Sequence, residues 1–276
     1  MNFKFKMIAL CLSSFSVLSA QAENNVLALP EFSSGKPVWI IKAGASFNSV
    51  VGSATKTTKT RWENNEYDGV FKYNTSYDVS FGFNKSFGKS PMYWGMDIKL
   101  GTRGYGTDAK YYKNETKKYG IRFETAINET FSLTTYNVYL SPFTFGYRYT
   151  FLERMAADIH LGIYASYDFA GKGKAYTSKH KKDWQDGLLY LNRTEENESK
   201  YDIKDDDNMH KYDAGINLGV GYWFGHFNID FSWQRGFIPM FVDGDKMVSV
   251  GNGKNDKMQA GNYYTNSFQL KLGFAF

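Results

Sequence analysis

Serine, histidine and aspartate side chains that share one face of a strand are the first candidates for chemistry in this chain of 276 residues. A serine nucleophile needs a base within hydrogen-bonding reach and a third group that orients the base. Of the four histidines, only His160 approaches this pattern, because Asp158 and Ser166 alternate with it on one strand face. Since such alternation also arises by chance in a polar strand face, the sequence favours a non-enzymatic protein. An enzyme acting on lipid or peptide is kept as an alternative.

An acidic triplet and a single cysteine are the remaining groups with possible chemistry. Residues 205–207 are three consecutive aspartates, whose oxygens could bind calcium, but they lack the spaced ligands and the glycine of a dedicated calcium loop. Cys11 lies in the leader described below, so the mature chain has neither a disulfide nor a thiolate nucleophile. We therefore predict no cofactor and no metal site.

Composition limits the class of protein. The formal net charge is +5, and the basic residues are interleaved with acidic ones, so no basic stripe suggests nucleic acid. Aromatic residues make up 18% of the chain and glycine is frequent, yet the mean hydropathy is −0.48. This combination is typical of strands that alternate apolar and polar residues, because averaging over both faces conceals the apolar one.

The N-terminus has the three parts of a signal peptide. Residues 1–6 carry two lysines, residues 7–18 are largely apolar, and residues 19–22 read Ser-Ala-Gln-Ala. An apolar run of about twelve residues is too short to span a membrane as a helix, which takes roughly twenty. We predict a signal peptide over 1–22 cleaved after Ala22, a short periplasmic segment over 23–36, and one barrel domain over 37–276.

Eight segments of the mature chain alternate apolar and polar residues with a period of two, as strands do. Each is about ten residues or longer, enough for a tilted strand to cross a bilayer. Pro142 interrupts the fourth segment and lacks an N–H donor, so a bulge or bend is expected there. The segments span residues 39–48, 77–87, 92–103, 133–149, 158–169, 212–224, 227–234 and 268–276.

Long polar connections alternate with short turns between these segments, as in outer-membrane barrels. We predict an all-β, closed, antiparallel up-and-down transmembrane barrel of about eight strands with long extracellular loops. Ten strands are the alternative, because residues 119–127 and 187–192 could add two more. A soluble exported barrel is the rival, but the glycine-rich polar face and the aromatic strand ends favour the membrane. The long connections are residues 49–76, 106–131, 170–211 and 238–262.

Several glycine and aromatic motifs resemble those of the PorT-like outer-membrane β-barrel family. They are DAGINLGVGY (213–222), WQRG (233–236), TRG (102–104) and the ending QLKLGFAF (269–276). The resemblance implies an eight-stranded outer-membrane barrel, usually without an assigned role, although one member type serves a secretion system. The ending, with Phe274 and Phe276, also looks like the signal read by the barrel-insertion machinery.

The polar strand faces bring ionisable groups together if they line the lumen. An eight-stranded barrel is just wide enough for such side chains to fill it. We predict a plug of ion pairs and hydrogen bonds, with a narrow gated conduit as the alternative. The predicted lumen residues are Lys42, Asp78, Asp97, Lys99, Arg103, Arg148, Asp158, His160, Asp168, Asp213, Asp230 and Lys271.

The function that follows is a non-enzymatic outer-membrane barrel with a structural or interaction role through its extracellular loops. The alternatives are a secretion-associated or narrow channel-like, porin-type barrel, and a lipid A-modifying or proteolytic barrel enzyme. We expect outer-membrane lipid, lipopolysaccharide and the insertion machinery as partners, and a protein or glycan at the loops. In the third connection, Trp184 and the apolar residues at 188–191 could fold over the barrel mouth or form a binding surface.

Overall fold

The computed structural model describes residues 28–52, 60–62, 65–116, 122–185, 188–202, 209–240 and 262–276. The predicted signal peptide, the aspartate triplet at 205–207 and residues 241–261 of the fourth connection lie outside these ranges. Among the described residues, no helix is long and apolar enough to span a membrane.

The described chain consists almost entirely of antiparallel strands. One short 3₁₀ helix, Phe32–Ser34, precedes the first of them. The strands are β1 (Pro37–Val51), β2 (Thr60–Trp62), β3 (Asn65–Ser86), β4 (Met92–Thr116), β5 (Arg122–Leu152), β6 (Met155–Gln185), β7 (Leu188–Asp202), β8 (Tyr212–Phe224), β9 (Phe227–Gly236) and β10 (Tyr264–Ala275).

Eight of these strands form a ring. The hydrogen-bonded order is β1-β10-β9-β8-β6-β5-β4-β3, and β3 pairs in turn with β1. Strand β2 pairs with β3 and strand β7 pairs with β6, and neither is a member of the ring. The predicted eight-stranded barrel is confirmed and the ten-stranded alternative is wrong, because the two additional strands extend the sheet along its length without widening the ring.

The two faces of the ring differ in the way that the sequence alternation predicts. On β6, Ile159, Leu161 and Ile163 are half exposed, whereas His160 between them is buried. Because successive side chains of a strand point to opposite faces, the exposed apolar residues form the outer surface and the polar ones line the lumen. An apolar outer face is stable in contact with lipid tails, so no other part of the protein has to pack against it.

The bulge expected at Pro142 is confirmed. The pairing of β5 with β6 shifts register between Leu140 and Phe143, and the pairing with β4 shifts nearby. Proline cannot donate to the ladder, so the break falls where a donor is missing. The hydroxyl of Ser141 donates to the carbonyl of Ile163 at 2.8 Å, which supplies one bond across the gap.

Strands β3 to β6 continue well beyond the ring, where β2 and β7 pair with them. Strands β5 and β6 have 31 residues each, about three times the 9–11 needed to cross a bilayer. The connections expected as loops are therefore largely strands, and residues 122–127 and 188–192 belong to β5 and β7. We call this extension the projecting sheet; it comprises β2, β7 and residues 65–73 of β3, 105–116 of β4, 122–134 of β5 and 171–185 of β6.

Gly225 forms the tight turn between β8 and β9 with a backbone φ of 56°. We expect Gly225→Ala to lower the free energy of unfolding by about 1 kcal/mol, because a Cβ disfavours the left-handed conformation. Urea unfolding in lipid vesicles, followed by tryptophan fluorescence, measures this loss. Gly225→Asn is the control, since asparagine tolerates this conformation better. Equal losses for alanine and asparagine would contradict the assignment.

Candidate functional site: the lumen and its two caps

All twelve ionisable residues predicted for the lumen lie on the inward face of the ring. Lys42 and Asp97 are half-buried. The other ten are at most 7% exposed: Asp78, Lys99, Arg103, Arg148, Asp158, His160, Asp168, Asp213, Asp230 and Lys271. They form separate groups along the barrel, described below.

The group nearest the projecting sheet surrounds Arg103, on β4. Its guanidinium donates to Asp168 at 2.7 and 3.2 Å and to Asp213 at 2.9 Å. The hydroxyls of Tyr164 and Thr265 donate to the same Asp213 oxygen at 3.1 and 2.6 Å. Two buried carboxylates therefore share one guanidinium, which holds β4, β6 and β8 together across the lumen.

Two further ion pairs lie across the middle of the barrel. The ammonium of Lys42 is 2.7 Å from Asp230, and the ammonium of Lys271 is 3.2 Å from Asp78. The hydroxyl of Ser46 donates to the second oxygen of Asp78 at 2.6 Å. Each pair joins two strands that are separated in the ring by a single strand, β10 for Lys42–Asp230 and β1 for Lys271–Asp78, so each pair crosses the inner face of that strand.

Lys99 borders a small space inside the barrel. Its ammonium donates to the side-chain oxygen of Gln234 at 3.0 Å and lies 3.8 Å from the centre of the Tyr139 ring. Gln269 donates its side-chain amide to the same Gln234 oxygen. The cavity beside Lys99 and Asp97 has a volume of about 60 Å³, which is room for a few water molecules.

At the opposite end of the lumen, Asp158 accepts hydrogen bonds from several groups. Trp223 donates its indole N–H at 2.5 Å and Tyr93 its hydroxyl at 3.1 Å. Arg148 approaches at 3.5 Å, and the Nδ1 atom of His160 lies at 3.1 Å. One buried carboxylate thus joins side chains from β4, β5, β6 and β8.

The structure places His160 and Ser166 in different groups. The two ring nitrogens of His160 face Asp158 at 3.1 Å and Asp230 at 3.6 Å, whereas the hydroxyl of Ser166 accepts from Arg103 at 3.4 Å. This arrangement does not make a serine nucleophile with a histidine base. Within the described ranges, no group of three or more His, Cys, Asp and Glu side chains could hold a metal ion.

A set of apolar residues covers the end of the lumen near Asp158. The ring of Phe32, in the 3₁₀ helix, meets Trp223 edge-on at 5.1 Å and lies 3.5 Å from the Arg148 guanidinium. The hydroxyl of Ser86 donates to the carbonyl of Phe32, which fixes the helix to β3. We call this the Phe32 cap; it comprises Leu29, Phe32, Val38, Ile40, Ala156, Trp223 and Ala275.

A second apolar set covers the other end. The N–H of His210 donates to the carbonyl of Met240 at 2.9 Å, and the N–H of Met240 donates to the carbonyl of Tyr263 at 2.8 Å. These contacts draw three chain segments together over the Arg103 group. We call this the Met240 cap; it comprises Val50, Tyr105, Phe131, Leu133, Met209, Met240 and Tyr263.

The C-terminal aromatic residues lie on the outer side of β10 and at its end. The ring of Phe274 is buried and contacts the rings of His226 and Phe227 at 5.9 and 5.4 Å. Phe276 is 45% exposed and stacks with Phe81 at 6.4 Å. The closing strand of the ring therefore ends in an aromatic cluster that is accessible at its last residue.

The exposed apolar residues of the third connection lie at the far end of the β6–β7 hairpin. Leu189 and Leu191 are 46% and 40% exposed, and Leu189 pairs with Trp184. Nearby, Glu195 lies 3.8 Å from the Lys181 ammonium and 3.4 Å from Arg193. Since other residues form the Met240 cap, these apolar side chains fit the prediction of a binding surface better than that of a lid.

The lumen residues predicted from the sequence were the ionisable ones, and the uncharged aromatic members of the lumen were not among them. Tyr93, Tyr139, Tyr164 and Trp223 are each at most 8% exposed and face inward with the ionisable residues. Their positions in the alternation are those of inward-facing residues. Aromatic side chains are, however, normally expected on the lipid-facing side of such a strand. Alternation followed strictly through each segment would have identified them.

Gly146 makes room for the ring of Tyr93. A Cβ atom at this glycine would lie 2.2 Å from the ring, so Gly146→Ala must displace Tyr93 from Asp158. We expect a loss of about 2 kcal/mol in the free energy of unfolding, from overpacking and a broken hydrogen bond. Urea titration in vesicles measures it.

Gly106→Ala, also in a strand, is the matched control, because the nearest atom to its added Cβ is 3.5 Å away. The double variant Gly146→Ala/Tyr93→Ala tests the cause. If adding Gly146→Ala to Tyr93→Ala costs as much as it does in the wild type, the contact between the two residues is not responsible.

A family model agrees with a membrane barrel. The family model described as "Outer membrane protein beta-barrel domain" matches residues 31–242. The chain is similar to Neisserial surface protein A (8% identity, covering 86% of this chain and 97% of that chain, TM-score 0.29). It is also similar to Ail, the attachment invasion locus protein of Yersinia pestis (12% identity, 87% and 99% covered, TM-score 0.28). No curated protein matches the chain.

Proposed function

This chain belongs to the outer membrane protein beta-barrel domain family, and we propose that it is a sealed, non-enzymatic barrel whose projecting sheet is its working surface. It is an integral protein of the outer membrane. A barrel of this kind anchors a sheet in the membrane and holds it outside the cell. Its function then depends on what the sheet contacts.

The single observation that carries the proposal is the closure of the lumen at both ends. The Phe32 cap and the Met240 cap lie at the two ends of the buried ion pairs, and the described lumen cavity beside Lys99 measures about 60 Å³. Conduction would require both caps to move and the buried pairs to separate, and leaving one charge without its partner is costly. A structural plug therefore explains the lumen better than a channel does.

The projecting sheet supports an interaction role. Its strands β3 to β6 continue those of the ring, with register shifts of β3 on β4 and of β5 on β6 at the junction, so the barrel wall continues as a sheet outside the membrane. The exposed Leu189 and Leu191 at the hairpin end are the kind of apolar surface that binds partners. We propose a protein or glycan as the partner there, and outer-membrane lipid and lipopolysaccharide nearer the ring.

The export route and the finer family assignment are also part of the proposal. Cleavage after Ala22 by a signal peptidase and recognition of the exposed Phe276 by the barrel-insertion machinery follow from the sequence patterns. Membership of the PorT-like subgroup rests on the motifs at 213–222 and 233–236. The eight-stranded ring is consistent with that subgroup.

Conductance in planar lipid bilayers tests the sealed lumen. The refolded mature protein, with insertion checked by a heat-dependent shift in gel mobility, should give no discrete current steps. A variant lacking residues 23–36, and with them Phe32 of the Phe32 cap, shows whether the ion pairs alone keep the lumen closed. Stable ohmic steps from the wild-type protein would contradict the proposal and favour the narrow channel.

A further inference from the structure

The outer face of β6 changes from apolar to basic side chains just beyond the lipid-facing residues. Tyr167 and Phe169 are half exposed on the outer face. The pairing of β6 with β5 then shifts register, because Asp168 and Ala170 pair with consecutive residues of β5 and Phe169 between them has no partner on β5. Beyond this bulge, the inward-facing residues of β6 are the odd-numbered ones. Ala175 is accordingly buried and lies opposite Phe131, a residue of the Met240 cap, whereas Lys172 and Lys174 are exposed on the outside.

Neighbouring strands add to these two lysines on the same outer face. Lys174 lies directly opposite Lys200 on β7 and opposite Ser132 on β5, and Lys172 lies opposite Thr134 on β5. Like charges placed directly opposite on a sheet repel each other. We call this set the lysine strip: Lys172, Lys174, Lys200, Ser132 and Thr134.

Two acidic residues on β7 lie beside the strip, and Asp108 on β4 is opposite Thr130, two residues along β5 from Ser132. Asp202 is opposite Lys172, and the carboxylate of Glu198 is 3.4 Å from the ammonium of Lys200. On the β5 side, the two residues opposite Lys172 and Lys174 are the hydroxyl-bearing Thr134 and Ser132. Hydroxyl donors beside exposed ammonium groups are a favourable environment for a phosphate, which accepts several hydrogen bonds.

The height of the strip matches the headgroup region of the outer leaflet. Lys172 and Lys174 are the third and fifth residues after Phe169. A strand rises about 3.3 Å per residue, and barrel strands tilt by roughly 35–45°. The Cα atoms of Lys172 and Lys174 therefore lie about 7–8 Å and about 12–14 Å above the last lipid-facing aromatic residue of β6. The headgroup layer on each side of a bilayer is about 5–8 Å thick, so Lys172 lies at its outer edge and the long side chain of Lys174 can reach it.

We propose that the lysine strip binds the phosphate groups of the glycolipid in the outer leaflet. The inference rests on the proposed outer-membrane role and names the lipid partner of the projecting sheet. A phosphate on the β5 side of β6 pairs with Lys172 and Lys174 and accepts hydrogen bonds from the hydroxyls of Ser132 and Thr134, and a second phosphate on the β7 side pairs with Lys174 and Lys200. The lysine ammonium groups take the place of the divalent cations that otherwise bridge neighbouring lipid phosphates. The positive charges of the protein then balance the negative charges of the adjacent lipids.

Native mass spectrometry of the mature protein in a neutral detergent tests the site, with diphosphoryl lipid A and dephosphorylated lipid A as probes. We expect wild-type protein to bind the diphosphoryl form at least about tenfold more tightly, since each lysine near an anionic surface contributes measurably to binding. Lys172→Gln/Lys174→Gln should lose this preference. Lys179→Gln/Lys181→Gln, on the opposite face of the same strand, is the matched control and should keep it.

Three results would overturn the inference. They are unchanged binding of diphosphoryl lipid A by Lys172→Gln/Lys174→Gln, equal binding of the two lipids by the wild type, and displacement of the lipid by millimolar inorganic phosphate. The last would indicate a site for free phosphate. A heat-dependent gel shift in every variant shows that the barrel is intact. If the wild-type protein does not prefer diphosphoryl lipid A and also gives no current in planar bilayers, the lysine strip is wrong as a lipid site and the sealed barrel stands.

Discussion

Replacing Arg103 by alanine is expected to destabilise the folded barrel by about 3–5 kcal/mol, because the change leaves two buried carboxylates without a cation. Asp168 and Asp213 both receive hydrogen bonds from Arg103 within 3.2 Å, and both are at most 7% exposed. Urea unfolding in lipid vesicles, followed by tryptophan fluorescence, measures the difference in free energy. The protein should remain folded in the absence of denaturant only if its total stability exceeds this loss.

Two control variants separate charge from packing. Arg193→Ala removes a guanidinium whose side chain is 67% exposed beside Glu195, and it should leave the unfolding midpoint within error of the wild type. Arg103→Lys keeps the charge but not the forked geometry, so an intermediate loss is expected. A midpoint for Arg103→Ala equal to that of Arg193→Ala would show that the buried group is not what joins the strands.

The second large effect is expected for Asp158→Ala, with a loss of about 3–4 kcal/mol in the free energy of unfolding. The carboxylate accepts from Trp223, Tyr93 and Arg148, and its removal leaves these donors buried without an acceptor. Because Trp223 is also part of the Phe32 cap, its fluorescence should shift to longer wavelength as water enters. The same urea titration measures both changes.

Asp108→Ala is the matched control for Asp158→Ala. Asp108 forms an ion pair with Lys72 in the projecting sheet, where both side chains are substantially exposed. Exposed pairs contribute about 0.5 kcal/mol, so the control should unfold close to the wild type. If Asp158→Ala unfolds like Asp108→Ala, or if its tryptophan emission does not move, the proposed role of Asp158 is wrong.

The ring was predictable because the bilayer imposes a two-residue period on every spanning strand. Exposed Ile159 and Leu161 alternate with buried Asp158 and His160, and the polar residues were assigned to the lumen on that pattern alone. The break at Pro142 was predictable because proline lacks a donor. Both constraints act between residues that are close in the chain, so they can be recognised from one sequence.

The caps were not predictable, because they depend on contacts between distant segments. Ile40 interrupts the alternation of β1, and the reason is visible only when Phe32 and Trp223 are seen beside it. Met209 and Met240 meet over the other mouth although they are far apart in the chain and outside regular strands. Nothing in their local sequence identifies this role.

The projecting sheet was expected as loops for a physical reason. Outside the membrane, both faces of a sheet meet water, so the hydrophobic alternation that marks a spanning strand disappears. Residues 171–185 of β6 are rich in lysine on both faces and look like a solvated loop. Pairing with β5 and β7, which is not visible in the sequence pattern, makes them a strand.

The central claim is a barrel that holds the projecting sheet outside the cell, and cysteine labelling on intact bacteria tests it most directly. The only natural cysteine is Cys11, in the predicted leader, so Leu189→Cys and Lys89→Cys each give one thiol in the mature chain. A membrane-impermeant maleimide should label Leu189→Cys on intact cells, and Lys89→Cys, in the β3–β4 turn, only after the outer membrane is permeabilised. Labelling of Lys89→Cys on intact cells, or protection of Leu189→Cys, would contradict the account.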